Sequence, residues 1–158
     1  MFATKNSLPP ETREFVVVLL NQMLASALDL YIRVKNAHWN VKGPNFIALH
    51  QLFDGIADYA AESADDLAER AAALGGVVDG TSEAAHLHTG LPPLVVPQPV
   101  AGLEFARSLS TNLATFVNAN RRAIEDAIEF KDQATADLLI KITRDGDRQL
   151  WFLEAHTQ

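Results

Sequence analysis

Four side chains between positions 50 and 69 have the types and spacing to hold a metal ion. His50 precedes Asp54 by four residues, and Asp65 precedes Glu69 by four. Each pair therefore sits on adjacent turns of one helical face. At 100° per residue all four fall within an arc of about 100°. That arc borders an apolar stripe through Leu49, Phe53, Ile56, Ala60, Ala64 and Leu67, whereas solvated charge usually points directly away from a core. The chain has no cysteine, so disulfides, thiolate sites and cysteine nucleophiles are excluded. Imidazole with carboxylate is the ligand set of iron, manganese or zinc.

One helix cannot close such a site by itself. The two pairs are centred fifteen residues apart, or about 22 Å at 1.5 Å per residue, whereas ligands must lie ~2 Å from the ion. Each chain then holds two half-sites or no site at all. Antiparallel packing of two copies about a two-fold axis resolves this. His50 and Asp54 of one chain would meet Asp65 and Glu69 of the other, twice by symmetry. His38 joins the first half if the turn at Lys42-Gly43-Pro44-Asn45 folds it alongside. The competing reading is a polar helix edge with one or two satisfied histidines, and spacing alone does not choose.

The elements that must position these residues are legible from periodicity. Helices are predicted over about 11–39, 46–74, 100–130 and 134–156. Leu8-Pro9-Pro10 suits the first start, Gly75-Gly76 the second stop, and Lys131-Asp132-Gln133 the last break. The first helix carries Phe15, Leu19, Met23, Ala27, Leu30, Tyr31 and Val34 on its apolar stripe, and the second begins its own with Phe46. The fourth includes Leu150, Trp151 and Leu153. Between positions 75 and 99, Gly, Thr and Pro break the pattern around one short helix over 82–88. Two helical hairpins joined by one long connection define the ferritin-like form of the four-helix bundle. A single all-α domain over 1–158 is expected.

Other candidates carry less. Glu83 and His86 have the Glu-x-x-His spacing of di-iron bundles, but those need two copies on core helices. With His88 they form a candidate auxiliary metal site. His156 reads as a surface residue, and Asp58, in the arc of the ligands, as a bystander. No phosphate-loop, dinucleotide or HExxH motif occurs. The net charge of −7 argues against clinging to nucleic acid or anionic lipid and is compatible with attracting cations. No basic start followed by an apolar core marks a signal peptide. No apolar run approaches the ~20 residues of a membrane span, so a cytoplasmic protein is expected.

The stretch AHWNVKGPNFIALHQLFD followed by LAERAAALGG resembles the Dps family of mini-ferritins. The likeness extends to LPP after the second helix and to TADLL and LWFLEAH near the C-terminus. It implies a ferritin-like bundle assembled as a hollow dodecamer that oxidises Fe(II) with hydrogen peroxide or oxygen and stores ferric mineral. The family pattern maps His38, His50 and Asp54 to one half of a two-fold ferroxidase site, and Asp65 and Glu69 to the partner's half. Zinc could occupy the same ligands as a substitute or inhibitor. Trp39 resembles a tryptophan placed near that site to absorb radical character, its alternative being a core aromatic. Asp132 and Asp137 resemble acidic residues lining three-fold pores that admit iron, or else a capping and an exposed aspartate. The family name implies DNA, yet the segment before the first helix holds one lysine, Lys5, and the C-terminal residues Thr157-Gln158 add no basic extension. Twelve chains at −7 each give −84, so DNA binding is expected to be weak or absent, because affinity comes largely from phosphate neutralisation. A nucleoid-compacting protein with secondary iron chemistry is the alternative function.

Overall fold

The structure, a computed structural model, describes residues 1–96 and 101–158. Five helices follow in order: α1 (Pro10–Asn40), α2 (Phe46–Ala73), α3 (Ser82–His88), α4 (Gly102–Glu129) and α5 (Gln133–Ala155). No strand occurs among the described residues. Bounds lie within about two residues of those expected from periodicity. The expected start at Val100 lies outside the described residues.

Local chemistry explains the ends. Pro10 opens α1, where its missing N–H costs nothing. α2 closes in a Schellman arrangement: Gly75 N–H donates to the Ala72 carbonyl at 2.9 Å and Gly76 N–H to Ala71 at 3.0 Å. Gly75 sits at φ +86°, a conformation that costs side-chain-bearing residues free energy. The same pattern ends α4 on Lys131, at φ 62° without a glycine. Thr81 caps α3 through its side-chain oxygen, which accepts from Ala84 N–H at 3.2 Å.

α1 packs most extensively on α2, and α4 on α5, with α1 against α4 and α2 against α5 completing the square. Gly102, at the start of α4, lies against Leu49 and the Lys42 carbonyl. The crossover has therefore carried the chain back to the α1–α2 turn. α3 leans on α1 along the way. Arg33 fastens this connection, ion-pairing with Asp29 at 2.7 Å and hydrogen-bonding the Pro92 carbonyl and Asn112. The core is filled by Phe53, Phe105, Phe116 and leucines from the long helices.

Two sequence expectations need correction. α1 does contain a stretch long and apolar enough to cross a membrane by length and composition. Half of that stretch is instead buried inside the bundle, which takes in Val16, Leu20, Leu30 and Val34 of this helix. Phe15, Phe46 and Trp151 do not belong to the buried stripes: they are 36%, 40% and 63% exposed. Phe15 instead stacks on Phe130 at 3.7 Å, and Phe46 tilts over His50. Phe46 lies at the first residue of α2, and Trp151 lies off the arc of α5 that buries Leu139, Ile142, Gly146 and Leu153.

Candidate metal centre

The turn at residues 41–45 builds the first half-site. Val41 N–H extends the α1 ladder to the Ala37 carbonyl at 2.8 Å, and Phe46 N–H bonds the Gly43 carbonyl at 3.0 Å. α2 thus runs back along α1 and lays His50 on His38. The rings stack with centroids 3.7 Å apart and planes inclined by 21°. His38 Nδ1 lies 2.8 Å from the His50 carbonyl, and His50 Nδ1 lies 3.0 Å from the His38 carbonyl. A carbonyl oxygen only accepts, so each Nδ1 carries the hydrogen. In the neutral ring this tautomer leaves the lone pair on Nε2, the state a metal-binding imidazole needs.

Asp54 stands one turn beyond His50. Its Oδ1 accepts from Lys35 Nζ at 2.8 Å and lies 3.8 Å from His38 Nδ1. That hydrogen bond raises the Lys35 ammonium above its ordinary value and holds the Asp54 carboxyl below its own. The lysine thus supplies a cation at the half-site's carboxylate. Sequence reasoning missed Lys35, although its position one turn before His38 on the same face was the available signal.

Asp65 and Glu69 are exposed on the outer face of α2, eleven or more residues beyond Asp54 and so about 16 Å or more along the axis. Asp65 edges a shallow cleft lined by Leu28, Tyr31, Ala61, Ala64 and Ala68. Among the described residues, no three His, Asp or Glu side chains of one chain converge as metal ligands. Among the described residues the bundle interior offers no alternative. Its buried polar side chains are hydroxyls, amides, His38 and Asp132, not the paired glutamates and Glu-x-x-His motifs of a di-iron core.

The remaining candidates separate. Trp39 is 70% exposed beside His38, so it is no core aromatic of this chain. Glu83 and His86 are exposed on α3. His86 faces a cleft with Asp29 and Tyr31, whereas His88 faces a different one with Gln22 and Met23. Two residues apart, they point to different sides of a helix, so the auxiliary site expected from His86 and His88 together does not form. His156 Nδ1 bonds the Phe152 carbonyl at 2.7 Å. Asp58 and Asp137 are exposed.

Asp132 departs from the pore expectation. It is 1% exposed and caps α5, accepting from Thr135 N–H at 3.0 Å and from the Thr135 hydroxyl at 2.6 Å. Arg70 Nη2 reaches both carboxylate oxygens at 2.8 and 2.9 Å. Burial alone would raise this carboxyl, but the Thr135 bonds and then Arg70 outweigh it and hold it below the ordinary range. Its charge is spent inside the chain, which leaves Asp137 as the exposed acid of that pair.

The ferritin-like domain matches residues 17–158. The chain is 39% identical over 156 residues to the DNA protection during starvation protein of Agrobacterium fabrum, covering 98% of this chain and 95% of the relative. The chain belongs to the Dps family of ferritin-like proteins. DpsA14 from Streptomyces coelicolor superposes with a TM-score of 0.90 at 35% identity, covering 97% of this chain and 90% of that one. Dps from Microbacterium arborescens in its high iron form gives 0.86 at 30% identity, covering 94% and 95%. As a Dps chain it has the all-helical ferritin-like fold read from its periodicity. The split between His38–His50–Asp54 and Asp65–Glu69 is the feature of this Dps chain that its function must accommodate.

Proposed function

We propose that this Dps protein is an iron-storage mini-ferritin that oxidises Fe(II) at sites shared between two-fold-related subunits of a hollow dodecamer. The observation that carries the reading is the stacked His38–His50 pair, with both Nδ1 hydrogens committed to carbonyls and both Nε2 atoms free. Asp54 adds a carboxylate to that half, and Asp65 and Glu69 of the partner subunit complete the set. Fe(II) is the substrate. Two Fe(II) ions give up one electron each to hydrogen peroxide, which takes two protons and leaves as two waters. Oxygen is the alternative acceptor.

The chain's residues have distinct tasks in this reading. Imidazole nitrogens hold the ferrous ion, and hard carboxylates favour the ferric product. Lys35 neutralises Asp54 before metal arrives and must give way as it binds. Trp39, exposed beside His38, is placed to take up stray oxidising equivalents. Asp137 would draw cations towards a pore. Zinc would occupy the same ligands and inhibit. The setting is cytoplasmic and iron oxidation limits peroxide damage. DNA binding is weak: the formal charge is −7 per chain, and the N-terminal segment lies against the end of α2, with Phe2 N–H bonded to the Gly75 carbonyl at 2.6 Å.

Stopped-flow near-ultraviolet absorbance of the ferric product tests the reading after anaerobic Fe(II) loading of metal-free protein. Peroxide should give a fast ferric signal that is absent from the His50→Ala/Asp54→Ala double variant. Traces that coincide would overturn the assignment. A low-salt gel shift giving a stable complex would instead favour the DNA-compacting function.

A further inference from the structure

A cleft of about 260 Å³ opens between α1, the end of α3 and α4, on the side of α1 away from the α2 half-sites. Met23, Leu91 and Phe116 supply apolar walls, and Gln22, His88 and Arg122 supply the polar ones. Ser26 Oγ ties the crossover to α1 here, accepting from Gly90 N–H at 3.1 Å and donating to the Gln22 carbonyl at 3.3 Å. The Gly90–Ser26 hydrogen bond thus pins the crossover to α1 at this wall.

Among the described residues no acidic side chain lines the cleft. This is unusual for a chain with twenty Asp and Glu residues against thirteen Lys and Arg. Arg33, Arg70, Arg107 and Arg121 each close on a carboxylate of the same chain. Among the described residues Arg122 enters no such pair. The nearby Asp79 is occupied by the Thr81 N–H and hydroxyl at 3.2 and 2.7 Å. Exposed Arg122, His88 and Gln22, from three elements, thus edge an apolar pocket with a guanidinium, an imidazole and a carboxamide. A guanidinium matches carboxylate and phosphate oxygens bidentately, while the apolar walls suit a small carbon body.

We infer that this cleft binds a small organic anion, a carboxylate or phosphate ester, with its head on Arg122 and its apolar body against Met23 and Phe116. The site is separate from the iron-oxidising residues. A ligand there would bridge α1, the crossover and α4.

Saturation-transfer NMR and thermal melts on the whole assembled protein test this with phenyl phosphate, benzoate, inorganic phosphate and benzyl alcohol as probes. Phenyl phosphate or benzoate should show transfer to ring protons and raise Tm, and uncharged benzyl alcohol should do neither. Arg122→Gln should weaken binding by about tenfold or more, with iron oxidation unchanged. Met23→Trp, which fills the pocket and leaves Arg122 in place, should also abolish transfer. Displacement of the ring signal by inorganic phosphate would identify phosphate esters as the ligand class. Benzoate binding that resists phosphate would identify carboxylates. Equal binding in wild type and Arg122→Gln, or no transfer from either anion at about 10 mM, where even a Kd in the millimolar range would register, would overturn the inference.

Discussion

Subunit mixing offers a quantitative test of the shared site. His50 and Asp65 lie fifteen residues apart on α2, about 22 Å along the axis, so no single chain brings them to one ion. His50→Ala removes one half-site from a chain, and Asp65→Ala the other. Each pure shell then lacks every complete site. Random pairing of equal amounts gives mixed two-fold dimers in about half of all cases, and each mixed dimer carries one intact site and one doubly broken site. About one quarter of all sites should therefore recover. The assay is the amplitude of the fast ferric phase after peroxide addition to co-expressed shells, with native mass spectrometry reporting the mixing. The internal control mixes His50→Ala with Asp54→Ala. Both lesions fall in the same half, so no site recovers. No fast phase from well-mixed His50→Ala and Asp65→Ala shells would refute the intersubunit assignment, as would equal recovery in the control.

Other consequences follow from the packing and the polar contacts. A Cβ on Gly146 would meet Tyr59 Oη at 2.5 Å and Val117 Cγ2 at 2.6 Å. Gly146→Ala should cost about 1–2 kcal/mol after its helix-propensity gain. Tyr59→Phe, which removes the hydroxyl bonded to the Ile142 carbonyl, should cut that cost by about 1 kcal/mol in a denaturation double-mutant cycle; strict additivity would count against the contact. Asp132→Ala removes the α5 cap and leaves Arg70 without its carboxylate, so it should cost about 3 kcal/mol in chemical unfolding. The folded-state pKa of Asp132 is depressed, so its contribution is present above the ordinary carboxylate pKa and is lost as pH falls below about 4. Asp132→Asn should flatten the acid limb of a Tm–pH profile. Lys131 occupies φ 62° without being glycine, and Lys131→Gly should stabilise by up to about 1 kcal/mol in thermal unfolding; a loss would show that its side chain makes a compensating contact.

Much of this protein was written in local pattern. Apolar periodicity gave the long helices, and Gly75-Gly76 their sharpest boundary, because capping and amphipathicity act within a few residues of chain. His50, Asp54, Asp65 and Glu69 could be placed on one face by counting, since a helix fixes angle and rise. Counting also showed that one chain by itself cannot bring both pairs to one ion. Lys35, by contrast, was passed over because it belongs to α1, and its bond to Asp54 exists only once the turn folds α2 alongside. Asp132 stayed open between pore acid and cap for the same reason: the two look alike until Arg70 arrives from α2. Phe46 sat at the very start of its helix, and Trp151, next to Leu150 in sequence, lay off the arc that α5 buries. The separation of His86 from His88, and the cleft around Arg122, likewise depend on which elements the crossover brings together. Sequence by itself determined what each helix could offer. Tertiary packing decided which offers meet, because contacts between elements depend on the rotation and spacing of whole helices, which no local pattern carries.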